Sequence, residues 1–214
     1  MDVVCSDKLK ADKIGDLMRW LVTLLLISFS TKVAALDFEF EGKTFAFELP
    51  DQLCQAYEGP VFDHVMKSQM IVEATTIVAV AEPCDLPYWV YEFAQFSIHN
   101  ELRNVTQLEV SLWMQEFVTD QFWQTKNKQA VNQNFDKEID GWELFSKSEN
   151  HFTMVSNGKN WKIYTTLIAI GGRALYAALF LSSSNFTETE IKTKVETFVD
   201  SISQNWVVED TEID

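Results

Sequence analysis

The segment FDKEIDGWE is the part of the chain that most resembles a ligand loop, because Asp136, Glu138, Asp140 and Gly141 occupy positions 1, 3, 5 and 6 of a calcium-loop pattern. Such a loop needs a bidentate carboxylate at position 12 to complete the oxygen shell. Position 12 is Lys147, a cation that opposes the ion. The segment therefore reads as an Asp140-Gly141 turn with an acidic flank. His64, His99 and His151 lack metal-ligand spacing and no HExxH occurs, which argues against shared zinc ligation. Nucleophilic catalysis has no support either, since there is no GxSxG. No glycine-rich loop precedes a helix to cradle phosphate; Gly171-Gly172 lies between two strands. No catalytic residue, metal ligand set or cofactor emerges. Carboxylate acid/base chemistry stays open as an alternative only because acidic residues are so numerous.

Three cysteines are present, Cys5, Cys54 and Cys84. Whether the last two pair depends on compartment, which the stretch MRWLVTLLLISFSTKVAA addresses. Twelve residues separate Arg19 from Lys32, whereas a membrane-spanning helix needs about twenty. A basic residue, a short apolar centre and the small residues Val33-Ala34-Ala35 make up a secretory signal, with cleavage expected between Ala35 and Leu36. The seventeen residues before Met18 mix Asp with Lys, so Met18 makes the cleaner start. On this reading residues 1–35 are a signal peptide, 36–205 one globular domain and 206–214 an acidic tail. The mature chain has no transmembrane segment and is periplasmic or extracellular. Cys54 and Cys84 then meet an oxidising compartment, where a disulfide is expected. No cysteine is placed for a lipid anchor.

Removing residues 1–35 leaves 179 residues with 12 basic and 28 acidic side chains, net −16. Such a surface repels a phosphate backbone and anionic lipid alike.

The elements follow from periodicity. LDFEFEGKTFAFELP alternates about Glu41-Gly42-Lys43 and predicts a β-hairpin, with Phe38, Phe40, Phe45, Phe47 and Leu49 on one face. Residues 51–68 read as a loop with one helical turn, and Met70 to Glu82 as a long strand. DLPYWVYEFAQFSI reads as a helix capped by Asp85, with Leu86, Trp89, Val90, Phe93 and Ala94 at helical spacing. Thr106-x-x-Glu109 is a capping box, and Leu108, Leu112, Trp113, Phe117 and Phe122 carry the apolar side of the helix it opens. From Trp142 come four strands: WELFS, HFTMV, NWKIYTTLIAI and RALYAALFLS. Asn157-Gly158 and Gly171-Gly172 are read as tight turns between them. Tyr164, Ile168 and Ile170 face one way and Ile163, Leu167 and Ala169 the other, so the sheet must be covered on both faces. A second capping box, Thr187-x-x-Glu190, opens a helix with Ile191, Val195, Phe198, Val199 and Ile202 on one stripe, and VVEDTEID beyond it is expected to fray. The fold class is α/β of the α+β type, an antiparallel sheet with helices on both faces.

The strand meander ending in Ala174-Leu175-Tyr176-Ala177-Ala178-Leu179-Phe180, followed by a helix closing on ETFVDSI, resembles the Mog1/PsbP-like group over about residues 142–203. The opening hairpin leading to FELP matches more loosely. The resemblance implies an α/β/α sandwich and a mostly non-enzymatic, protein-binding role. No functional residue of the group maps onto this chain. The aromatic clusters around Tyr88–Phe96 and Trp113–Trp123 hold rings that cannot share one helical face, and Trp89, Tyr91 and Trp123 are the candidate binding surface. The expected partner is another protein or an exposed glycan or lipid. The expected role is an exported non-enzymatic binding protein, with a secreted hydrolase as the alternative. Asn104-Val105-Thr106 and Asn185-Phe186-Thr187 are glycosylation sequons that coincide with helix caps.

Overall fold

A computed structural model of the chain describes residues 35–50, 52–68, 74–85, 91–121, 124, 125, 139–158, 160–204 and 206–210. The expected signal segment up to Ala34, together with Asp136 and Glu138, lies outside the described residues. Residues Val33–Asp214 form one compact unit.

The hairpin forms as its alternation requires. β1 (Ala35–Phe40) pairs antiparallel with β2 (Lys43–Glu48). The turn is closed by Glu41 at φ 50° and Gly42 at φ 74°, left-handed positions that the hairpin twist favours. After it the chain departs from expectation. Residues 51–68 contain a short strand, β3 (Leu53–Ala56), and a helix, α1 (Pro60–Ser68), rather than a loop. Gly59 and Pro60 had masked this: Pro60 is the first residue of α1, where its missing N–H costs nothing. β4 runs Thr75–Pro83.

The second departure is larger. Glu92–Arg103 is not helix but strand, β5, the longest in the sheet. It lies between β4 and β9, buried on both faces over its first half, so Phe93 and Ala94 are adjacent and both apolar, which breaks the period-2 alternation and imitates a helical stripe. Ala94, Phe96 and Ile98 face one core and Phe93 another. α2 (Gln107–Thr119) starts at its capping box. The meander follows as β6 (Ile139–Lys147), β7 (Phe152–Gly158), β8 (Trp161–Ile170) and β9 (Arg173–Ser182). Gly171 and Gly172 take positive φ in the last turn, whereas Gly158 is the final residue of β7, opposite Ile139. The terminal helix, α3 (Glu188–Gln204), buries the expected stripe. The acidic tail does not fray at its start: β10 (Val207–Asp210) pairs with the free edge of β2, setting Val208 opposite Phe45.

The seven-stranded sheet has the order β3-β4-β5-β9-β8-β7-β6, antiparallel throughout, and the small sheet the order β1-β2-β10. Residues alternate along β9. Leu175, Ala177, Leu179 and Leu181 meet α3 and the small sheet, while Ala174 and Phe180 turn to the cores under α2 and α1. The result is an α+β fold with helices on both faces of an antiparallel sheet, as the two-sided apolar strands demand.

Glutamine amides extend the ladders at three places. Gln55 of β3 accepts from the Asp37 N–H at 2.9 Å and donates to its carbonyl at 2.8 Å, coupling the two sheets. Gln124 treats Trp142 of the edge strand β6 in the same way, at 2.9 and 2.8 Å. Gln107 accepts from the Ala169 N–H at 2.7 Å and donates to the Leu167 carbonyl at 3.4 Å, at the end of β8 where β7 has run out. Each amide carries the donor and acceptor of a missing strand residue, so backbone groups that would lose solvent keep partners. Arg173 holds the hairpin turn against the large sheet: it pairs with Glu41 and lies over the Phe40 ring at 5.3 Å.

Candidate functional site

α2 is held at both ends, which decides what its middle can present. At its start the Thr106 hydroxyl accepts from the Glu109 N–H at 3.3 Å, while the Glu109 carboxylate accepts from the Thr106 N–H at 2.8 Å. Those bonds to the charged form hold the Glu109 carboxyl below its ordinary value. Gln107 ties the first turn to β8, and Gln124, beyond the helix, donates to the carbonyls of Val118 and Trp142. Between these anchors Val110 and Met114 are buried against Phe152, Met154 and Leu167, with Phe117 packed edge-on to Trp142.

Of the side expected to be apolar, Phe117 packs on the core and Phe122 lies outside the described residues, but the other three residues turn outward. Leu108 and Leu112, expected on the core side, are 70% and 57% exposed, and Trp113 is 41% exposed on another flank. Leu108 and Leu112 are one turn apart and share a face. With Gln107, Ser111 and Gln115 they wall a shallow groove of ≈ 520 Å³, closed on its far side by Lys147, Ser148 and Glu149 in the β6–β7 turn. The signal was present but ambiguous: too many large apolar residues occur on α2 for one face to bury, and spacing alone does not say which face wins.

The far wall is well braced. Ser148 donates its N–H to the His151 carbonyl at 2.9 Å, and its hydroxyl meets His151 Nδ1 at 2.9 Å and accepts from the Asn150 N–H at 3.1 Å. Ser146 Oγ lies 3.3 Å from Nε2 of the same ring. Burial lowers the His151 pKa and the nearby Asp200 charge opposes that shift only in part, which favours the neutral ring at pH 7.

Of the aromatic candidates, Trp89 and Trp123 lie outside the described residues. Tyr91 is 40% exposed, but its carbonyl accepts from the Ser182 N–H at one end of β9, whereas α2 packs on Ala174 at the other. Tyr91 and the α2 groove therefore do not form one surface. Cys54 and Cys84 are joined by a disulfide, with Cα atoms 5.0 Å apart, across the β3–β4 edge.

Acid/base chemistry has two places to look. Burial raises the Glu82 carboxyl on β4, but Glu82 lines neither the α2 groove nor the cavities beside Phe198 and Trp206. Glu92 does line one, of ≈ 200 Å³ between Pro50 and Phe198, where it is buried and paired with Lys194 at 2.6 Å. Lys194 also donates to Gln52 at 3.0 Å, so this pair binds α3 to the sheet. Among the described residues no group of three or more His, Cys, Asp or Glu is placed to hold a metal ion.

No protein-family model matches the chain, and no curated protein matches it. Among solved structures, it is similar to the solution structure of cyanobacterial PsbP (CyanoP) from Synechocystis sp. PCC 6803, with a TM-score of 0.42 and 11% sequence identity, over 83% of this chain and 94% of that chain.

Proposed function

We propose that this chain is an exported, non-enzymatic binding protein that takes a segment of another protein in the groove beside α2. The observation that carries this reading is the outward placement of Leu108 and Leu112 on a helix anchored at both ends. Two leucines left in water at the wall of a groove have a ready use in docking. Covering both contributes about 3 kcal/mol, a factor of roughly 100 in affinity, before any polar contact. Export is supported by the leader-like residues up to Ala35 and by the disulfide, which suits an oxidising compartment. Cleavage after Ala35 leaves Leu36, a fully buried β1 residue, at the new terminus. The rival, a secreted carboxylate hydrolase, is less well supported because Glu82, whose carboxyl is raised, lines neither the α2 groove nor the cavity that holds Glu92.

A photoreactive residue placed at position 112 in the chain's own host tests the reading, with position 57 as a control, since Tyr57 is more exposed than Leu112 and lies elsewhere. The expected result is one identified polypeptide crosslinked from 112 and not from 57. The purified chain binds that polypeptide, and the double variant Leu108→Ser, Leu112→Ser does not. Crosslinking no different from position 57 overturns it.

A further inference from the structure

We infer that the segment taken by the α2 groove is cationic and amphipathic, with apolar side chains along one side and Lys or Arg along the flank that meets Glu109 and Glu116. This rests on the reading of Leu108 and Leu112 as a docking face.

The rims carry the inference. Gln107–Thr119 contains Glu109 and Glu116 and no Lys or Arg. At 100° per residue these two acids lie some 40–100° around the helix from the leucines, on the rim away from the groove floor. Glu149 stands on the opposite wall. Lys147 is the one cation in the lining. The leucine strip is thus bordered by Glu109 and Glu116 on its outer rim and by the balanced pair Lys147 and Glu149 across the groove, a pattern that meets an apolar stripe with positive charge along one flank.

The same charges disfavour other occupants. A second copy docking through this face would bring another acidic α2 rim against this one, on a chain of formal net charge −15. Anionic lipid and nucleic acid are repelled for the same reason. A cationic segment is attracted at long range and then buries its apolar side, so its binding weakens with salt yet keeps a salt-resistant part.

The test uses the full chain, isotopically labelled, titrated with two synthetic amphipathic peptides of about four helical turns, one of Leu and Lys and one of Leu and Glu. The Leu/Lys peptide is expected to shift amides at 107–115 and 147–149. Its affinity should fall by roughly a hundredfold in the Leu108→Ser, Leu112→Ser variant, and by roughly three- to tenfold in Glu116→Lys, Glu149→Lys. All four side chains are exposed, so thermal unfolding of the variants should match the parent. Equal binding of the Leu/Glu peptide at the groove overturns the charge inference and leaves the docking face standing. If neither peptide shifts the groove, or the Leu/Lys shifts spread over the acidic surface and survive the leucine substitutions, the docking face itself is overturned.

Discussion

Replacing Cys54 and Cys84 by alanine opens a covalent loop whose ends are 30 residues apart in sequence. The chain-entropy relation for a loop of that length gives about 3.6 kcal/mol, a factor of several hundred in the folding equilibrium. The structure says where that loss should fall. β3 keeps its four register pairs with β4, Leu53 stays buried, Gln55 still holds Asp37, and the Cys84 N–H still reaches the Gln52 carbonyl. The native state should therefore change little, and the cost should come from the freer unfolded chain. Guanidinium titrations of the parent and the double variant measure it. The midpoint should drop by the equivalent of roughly 3–4 kcal/mol while the slope rises slightly, because an unconstrained unfolded chain exposes more surface. Native amide shifts away from β3 and β4 should stay in place. So should peptide binding at the α2 groove, since β3 and β6 are opposite edges of the sheet. A loss below about 1 kcal/mol, or native shifts that move across the small sheet, would refute the reasoning.

Three further outcomes can be checked by unfolding measurements. Gly59 and Gly141 share φ 113°, but a Cβ at Gly141 would stand 2.7 Å from Gln124 Oε1 whereas one at Gly59 meets nothing within 4 Å. Gly141→Ala should thus cost about 1–2 kcal/mol more than Gly59→Ala, and Gln124→Ala should narrow the gap. Phe198→Ala empties a site 1% exposed beside Phe96 and should cost about 3–5 kcal/mol; a cost under 1 would mean that α3 is not seated as described. The carboxyls of Glu109 and Glu190 are held below the ordinary value by the N–H and hydroxyl of Thr106 and Thr187. A depressed folded pKa gives stability present above the unfolded value, about 4.3, and lost as pH falls through the folded one. Glu109→Gln with Glu190→Gln should therefore flatten the loss of stability below about pH 4.5. An unchanged acid limb would contradict the capping boxes.

Much of the fold was legible because its signals are local. The Glu41-Gly42 hairpin, both capping boxes and the Ile191–Ile202 stripe are each written within a few residues, and each formed. What was misread depends on neighbours remote in sequence. β5 reads as helix because its two faces are buried in separate cores built from elements remote in sequence, while β4 and β9 flank it in the sheet. The tail became β10 only because the hairpin leaves β2 with a free edge. The candidate site failed for a related reason. Leu108 and Leu112 carry the same letters as core residues, and they face outward in a helix that buries Val110 and Met114 and is tied by Gln107 to β8 and by Gln124 to Trp142. The resemblance drawn from residues 142–203 rested on strand order, which says nothing about which side chains the loops and helix faces leave exposed.

Radical footprinting of Leu108 and Leu112, on chain recovered under native conditions from its own host and on the same chain purified to homogeneity, tests the docking face most directly. If α2 holds a partner segment, oxidation of both leucines is several-fold lower in the native sample while Tyr57 is oxidised equally in the two. Equal oxidation of the leucines in both samples would contradict it and leave the groove a surface feature without a partner.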